Sequence, residues 1–327
     1  MVLVSVFFVV AGIFCLVKGG DILIDGCVAL AKRAKLSNMV IGIVVIGFGT
    51  STPELLVSTQ AAILGSSGLA IGNVVGSNIA NIALILGLTS IISPLPADST
   101  ALRRDLPFMV FAVIALVVVG MAGDIYRWEG LLFILALVSY MAYRVRMSRK
   151  QEKAAESTSS SMPDTPCMPL WKAVFVSVCS IVTLIFGANM LISGASDIAR
   201  TLGTALGAEA SAMERIIGLT IVAVGTSLPE LTATVMAARK KQADMALGNI
   251  IGSVSFNIFC VIGVASAVCP IRNSAQGFTF DYLIMFGVAI LLCAVLYSRH
   301  RITRSAGWVL TVIYVLYIAR TLFVIQS

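Results

Sequence analysis

The chain alternates long apolar runs with short polar or basic breaks. Ten runs are on the scale of the ~20 residues that a membrane-spanning helix needs. They lie near residues 2–17 (continuing past Lys18 towards 30), 39–65, 69–92, 106–121 and 130–144, then 170–196, 216–238, 246–268, 280–298 and 305–325. The pattern predicts an all-α membrane protein with ten transmembrane helices. The first run has no basic residue before it, unlike a cleavable signal, and leads directly into a repeated segment, so we expect it to be retained. Only residues 148–169 lack a hydrophobic period. They are rich in Ser, Lys, Glu and Pro and predict a linker between residues 1–147 and 170–327.

Within these runs the polar positions repeat. Gly49-Thr50-Ser51-Thr52-Pro53-Glu54 recurs as Gly225-Thr226-Ser227-Leu228-Pro229-Glu230. At the same offset, residues 42–87 lie over 218–263 with 17 identities in 46 positions. A shorter match places 19–26 over 187–194. The chain therefore reads as two copies of one unit. Five spans per copy is an odd number, so the second copy enters the membrane from the opposite side, giving two inverted five-helix repeats.

Composition and charge narrow the class. With 58% hydrophobic residues, 12% charged residues and a mean hydropathy of +0.99, a soluble domain is excluded. Seventeen Lys and Arg residues, among them Arg103, Arg104, Arg144 and Lys240, fall on one side of the predicted spans. Five fall on the other: Arg127, Arg200, Arg215, Arg272 and Arg320. This bias makes the first side cytoplasmic and turns both termini outward. It also accounts for the net charge of +7 without a nucleic-acid partner.

Each copy carries the same candidate chemistry. Pro53 and Pro229 have no N–H to donate, which releases the carbonyls of Gly49 and Gly225 and opens the helix there. Broken backbone at membrane depth persists only where it lines a cavity or is buried in protein. Thr50, Glu54 and Ser58 are spaced i, i+4, i+8, with Ser51 on the same face. The next run carries Asn73, Ser77 and Asn81 at the same spacing, beside a Gly72–Gly76 surface suited to close helix approach. The second copy offers Thr226, Ser227, Glu230 and Thr234 facing Asn249, Ser253 and Asn257. A carboxyl at mid-membrane costs at least ~2.5 kcal/mol, so two at equivalent positions point to a shared binding site. The set is all oxygen, with no imidazole or thiolate, which suits Ca²⁺, Na⁺ or Mg²⁺ and not Zn²⁺, Cu or Fe. A flexible multi-oxygen cage with two carboxylates favours Ca²⁺ over Mg²⁺, which resists dehydration.

These two blocks resemble the α1 and α2 repeats of the sodium/calcium exchangers of the cation/Ca²⁺ antiporter superfamily. The ten-helix layout and mid-chain linker are similar to those of bacterial and archaeal members. The resemblance implies exchange of Ca²⁺ for Na⁺, with three Na⁺ per Ca²⁺ and no resident cofactor. By position it implies that Glu54 and Glu230 coordinate Ca²⁺ and that Thr50 and Thr226 contribute carbonyls. It assigns Na⁺ binding to Ser51, Ser77, Ser227 and Ser253 and places the family's first-repeat Asn at Asn81. Asn257 stands where several prokaryotic and all typical K⁺-dependent members carry Asp. An Asn cannot ionise, so this site has two carboxyls, not three, and one candidate proton carrier fewer.

Other readings remain at this point. A Ca²⁺/H⁺ antiporter is the runner-up. A cation channel fits poorly with an inverted repeat fused around one site. An intramembrane enzyme lacks a nucleophile paired with a base. Asn73, Asn249, Ser77 and Ser253 also suit interhelical hydrogen bonding. Asp21 is expected to pair with Lys18, one turn away. The seven cysteines read as packing residues and His300 as an interfacial anchor. The linker holds no sensor domain, so regulation by cytoplasmic Ca²⁺ is not expected.

Overall fold

The computed structural model describes residues 2–97, 102–156, 168–205, 223–272 and 278–326. Their helices are α1 (Val2–Ala34), α2 (Asn38–Thr50), α3 (Thr52–Ile63), α4 (Ser67–Ile92), α5 (Leu102–Ala122) and α6 (Arg127–Glu156). They continue with α7 (Leu170–Ala205), α8 (Ala223–Thr226), α9 (Leu228–Arg239), α10 (Ala243–Val268), α11 (Thr279–Arg299) and α12 (Arg304–Gln326). Two two-residue strands, β1 (Leu95–Pro96) and β2 (Arg301–Ile302), pair antiparallel. Among the described residues seven helices are long and apolar enough to cross a membrane, and eight if the bent pair α2–α3 is one span. The predicted run at 216–238 lies partly outside the described residues, as does half of the predicted linker.

Most element positions match the hydrophobic pattern, and the ends differ where polar residues continue a helix. The run predicted at 130–144 is part of a longer helix, α6, that extends to Glu156. The 33 residues of α1 would span about 50 Å. That exceeds a ~30 Å hydrocarbon core, so α1 must lie tilted or protrude.

Glycines set how closely the helices cross. A Cβ on Gly12 of α1 would sit 2.7 Å from the carbonyl oxygen of Gly187 on α7. One on Gly248 of α10 would sit 2.6 Å from the carbonyl oxygen of Met39, and one on Gly252 would sit 2.7 Å from the Cα of Ile43. The close approach expected of small residues is thus realised by α10 against α2. Gly76 of α4 meets nothing within 4 Å among the described residues. The repeat also shows in two glycine crossings. Gly87 on α4 meets Gly307 on α12, and Gly263 on α10 meets Gly130 on α6. Gly87 and Gly263 are counterparts in the aligned copies.

One expected ion pair changes, and an unexpected one appears. Arg144, counted above among the cytoplasmic-side charges, is buried on α6 and bonds Asp105 of α5, with Nη2 2.8 Å from Oδ2. Tyr140 donates to the other oxygen of Asp105 and stacks on Phe108 at a 3.5 Å centroid separation. One helical turn separates Tyr140 from Arg144, so both reach one buried carboxylate. Asp21 pairs with Lys240 at 2.9 Å, not with Lys18, and Lys240 also reaches Asp25 at 2.6 Å. Sequence distance suggested Lys18, but α1 turns Asp21 and Asp25 towards the end of α9.

Candidate cation site

The site begins at two broken helices. Between α2 and α3 the chain bends by 47°. Ser51 leaves helical geometry there, with φ −84° and ψ 9°, and Pro53 occupies the first turn of α3. Ser227 has nearly the same conformation before α9, with φ −91° and ψ 6°, and Pro229 repeats the role of Pro53. The break places Glu54 and Glu230 in the first turns of α3 and α9. A helix N-terminus leaves amide N–H groups without intrahelical partners and favours negative charge, so both carboxyls sit where the backbone tolerates them.

Two π-helical segments face these breaks, at Ala80–Ile85 within α4 and Asn257–Ile262 within α10. They contain Asn81 and Asn257, counterparts in the repeat. The packing is crossed: α3, with Glu54, lies against the π segment of α10, while α9, with Glu230, lies against that of α4. Each half therefore packs the helix that carries its Glu against the other half's π segment. Such π turns widen a helix locally and cluster at functional sites.

Side-chain bonds knit the second layer in matching pairs. Asn73 donates Nδ2–H to Ser58 Oγ at 2.8 Å and to the Glu54 carbonyl at 3.4 Å. Asn249 donates to Thr234 Oγ1 at 2.8 Å and to the Glu230 carbonyl at 3.3 Å. Asn73 and Asn249 are thus helix glue. They hold the helix starts that carry the two Glu residues. Thr50 Oγ1 donates to the Ile46 carbonyl at 3.0 Å.

The first layer is not symmetric. Ser51 donates to Glu230 Oε1 at 2.9 Å, whereas Ser227 makes no equivalent bond to Glu54. Glu54 and Glu230 are fully buried and lie within electrostatic reach of each other. Seven buried oxygens of sequence-predicted residues have no hydrogen-bond partner among the described residues. They are both carboxyl oxygens of Glu54, Oε2 of Glu230, Oδ1 of Asn81, Oδ1 of Asn257, and the hydroxyls of Ser227 and Ser253. Leaving such groups unpaired normally costs ~1–3 kcal/mol each, and more for a charge. Seven such oxygens on one set of crossing elements match in number the 6–8 that Ca²⁺ takes. Ser77 is also buried on α4, and Thr226 is half-buried at the break before α9.

Sequence reasoning missed Asn78. It is fully buried on α4 and bonded to Asn257. It stands beside Ser77 and outside the i, i+4, i+8 stripe. It has no counterpart in the second copy, where Val254 occupies the position. Neither the spacing nor the repeat could have flagged it. No group of three or more His, Cys, Asp or Glu residues suited to a metal occurs among the described residues. The candidate site therefore offers two carboxyls and neutral oxygens.

A broken-helix pair, crossed π segments and a cluster of buried oxygens fit an ion transporter of the cation-exchanger class. The profile of the sodium/calcium exchanger protein family matches residues 4–146 and 172–323, and the chain belongs to that family. CaxA of Alkalimonas amylolytica is 32% identical over 321 residues, covering 96% of this chain and 98% of its own. The sodium/calcium exchanger MaX1 of Methanosarcina acetivorans is 29% identical over 352 residues, covering 97% and 98%. The fold is similar to the solved sodium–calcium exchanger NCX_Mj soaked with 2.5 mM Na⁺ and 0.1 mM Ca²⁺, with a TM-score of 0.81 and 28% identity over 98% of this chain and 99% of that one.

Proposed function

We propose that the protein is a secondary antiporter that exchanges Ca²⁺ for Na⁺ across a bacterial inner membrane, by alternating access to the site around Glu54 and Glu230. The observation that carries this reading is the set of seven buried oxygens without partners, which includes two carboxyls and no nitrogen or sulfur ligand. In the empty site the two Glu residues supply two negative charges, which one Ca²⁺ neutralises. Thr50 and Thr226 offer carbonyls at the breaks. Ser51, Ser77, Ser227 and Ser253, with Asn81 and Asn257, complete the sets for Ca²⁺ and for Na⁺. The two ions then compete for overlapping oxygens, which is what antiport requires.

The architecture that serves this function is two inverted five-helix repeats, residues 1–147 and 170–327, joined by a cytoplasmic linker at 148–169, with both termini outside. A site at the repeat interface, near the bilayer midplane, is reached from either face as the halves rearrange. The relative YrbG is an inner membrane protein of Escherichia coli, which supports the location. The reading is tested by ⁴⁵Ca²⁺ uptake into proteoliposomes loaded with Na⁺ or with acidic buffer. Uptake driven by the Na⁺ gradient is expected. Uptake at full rate on a pH gradient alone would replace Na⁺ by H⁺ as the counter-ion.

A further inference from the structure

We propose that Asn78 is a positioning residue that turns the amide oxygen of Asn257 into the cation site; the inference rests on the exchange site proposed above. An Asn side chain is a neutral amide that can present either its oxygen or its NH₂ group to a given neighbour. At a cation site the two choices are opposite in effect, because the oxygen coordinates and the NH₂ repels. An Asp in this position needs no such control, since both of its oxygens are ligands. An Asn does.

The structure supplies the control through a three-residue relay. Asn257 donates Nδ2–H to Oδ1 of Asn78 at 3.3 Å, and Asn78 donates its own Nδ2–H to Sδ of Met285 on α11 at 3.8 Å. All three side chains are fully buried. A thioether sulfur accepts weakly and cannot donate, so the contact with Met285 favours the orientation in which the NH₂ group of Asn78 faces it. The oxygen of Asn78 then faces Asn257, which must answer with its NH₂ group. Oδ1 of Asn257 is left pointing away from the relay, and it has no hydrogen-bond partner among the described residues.

The geometry fits a role in one half only. Asn81, the counterpart of Asn257, has no such escort, because the position matching Asn78 in the second copy is Val254. The relay therefore belongs to one half of the repeat only. Fixing a ligand through the group behind it commonly changes metal affinity by ~10–100-fold when that group is removed.

The test uses the purified full-length chain, with ⁴⁵Ca²⁺ as the probe in equilibrium binding and in Na⁺-driven uptake. Asn78→Leu is expected to weaken Ca²⁺ binding ~10–100-fold and raise the KM for Ca²⁺, with kcat nearly unchanged. Asn78→Asp keeps an acceptor for Asn257 and should bind at least as tightly as the wild type. Met285→Leu conserves volume but frees Asn78 to rotate, and should cost affinity several-fold. On an Asn257→Leu background, Asn78→Leu should add no further loss. Additive losses in that double variant, or wild-type affinity in both Asn78→Leu and Met285→Leu, would overturn the positioning role while leaving the site intact. Wild-type affinity in Asn257→Leu would instead remove Asn257 from the site and the relay's purpose with it. Thermal unfolding without Ca²⁺ shows whether each variant is folded.

Discussion

Glu54→Gln is the sharpest perturbation of the proposed site. The substitution conserves shape and removes one of two charges. Both oxygens of Glu54 are buried without a hydrogen-bond partner among the described residues, so no described contact depends on them. At a Ca–O distance of ~2.4 Å and an effective dielectric near 20, a divalent ion and one carboxylate attract by about 14 kcal/mol. Dehydration of both groups offsets most of that attraction. Removing one member of a buried charge pair costs about 3–5 kcal/mol net, or roughly 150- to 5,000-fold in affinity. Na⁺-driven ⁴⁵Ca²⁺ uptake by Glu54→Gln should therefore fall below detection at Ca²⁺ concentrations that saturate the wild type. The ion-free protein should meanwhile melt no lower than the wild type, since it buries one carboxyl fewer. Glu230→Gln should lose transport similarly, though its bond from Ser51 gives it a second role. Uptake within tenfold of wild type by Glu54→Gln, in correctly inserted protein, would refute the assignment.

Three further outcomes follow from other parts of the molecule. Arg144→Met strands the buried carboxylate of Asp105 and should lower stability by about 3–5 kcal/mol, read as a depressed melting temperature in detergent; Asp105→Leu in the same chain should recover part of it. Gly252→Val would put a side chain 2.7 Å from the Cα of Ile43, and should force α10 off α2 and abolish folded yield, measured by size-exclusion chromatography. Exchange of three Na⁺ for one Ca²⁺, the ratio the family resemblance implies, would move one net positive charge per cycle, so exchange should respond to membrane potential by ~2.3 kcal/mol per 100 mV, and with no third carboxyl in the site it should ignore K⁺. Flux in vesicles clamped at different potentials checks both points; flux that ignores the potential refutes the three-to-one ratio, and flux that requires K⁺ refutes the two-carboxyl site.

Much of the site was legible because membrane burial makes polar residues expensive, so Glu54, Glu230 and the Asn and Ser stripes stand out against their apolar runs. The two breaks were legible from Pro53 and Pro229, whose missing N–H groups act locally. The crossed packing of α3 and α9 on the π segments was not, because it depends on contacts between halves that no spacing encodes. The π turns at Asn81 and Asn257 carry no composition signal of their own. Asn78 escaped for a related reason: its partner Asn257 is 179 residues away. Lys240 displaced Lys18 as the partner of Asp21 because proximity along one helix does not decide which side chain points where.

The central claim is that one buried site binds Ca²⁺ and Na⁺ in turn on the same oxygens. Equilibrium ⁴⁵Ca²⁺ binding to the purified protein, titrated with Na⁺ and repeated with Glu54→Gln/Glu230→Gln, tests it most directly. The account predicts one Ca²⁺ per chain, displaced by Na⁺ with a Hill coefficient above one and lost in the double variant. Ca²⁺ that stays bound at saturating Na⁺, or that binds the double variant as it binds the wild type, would contradict it.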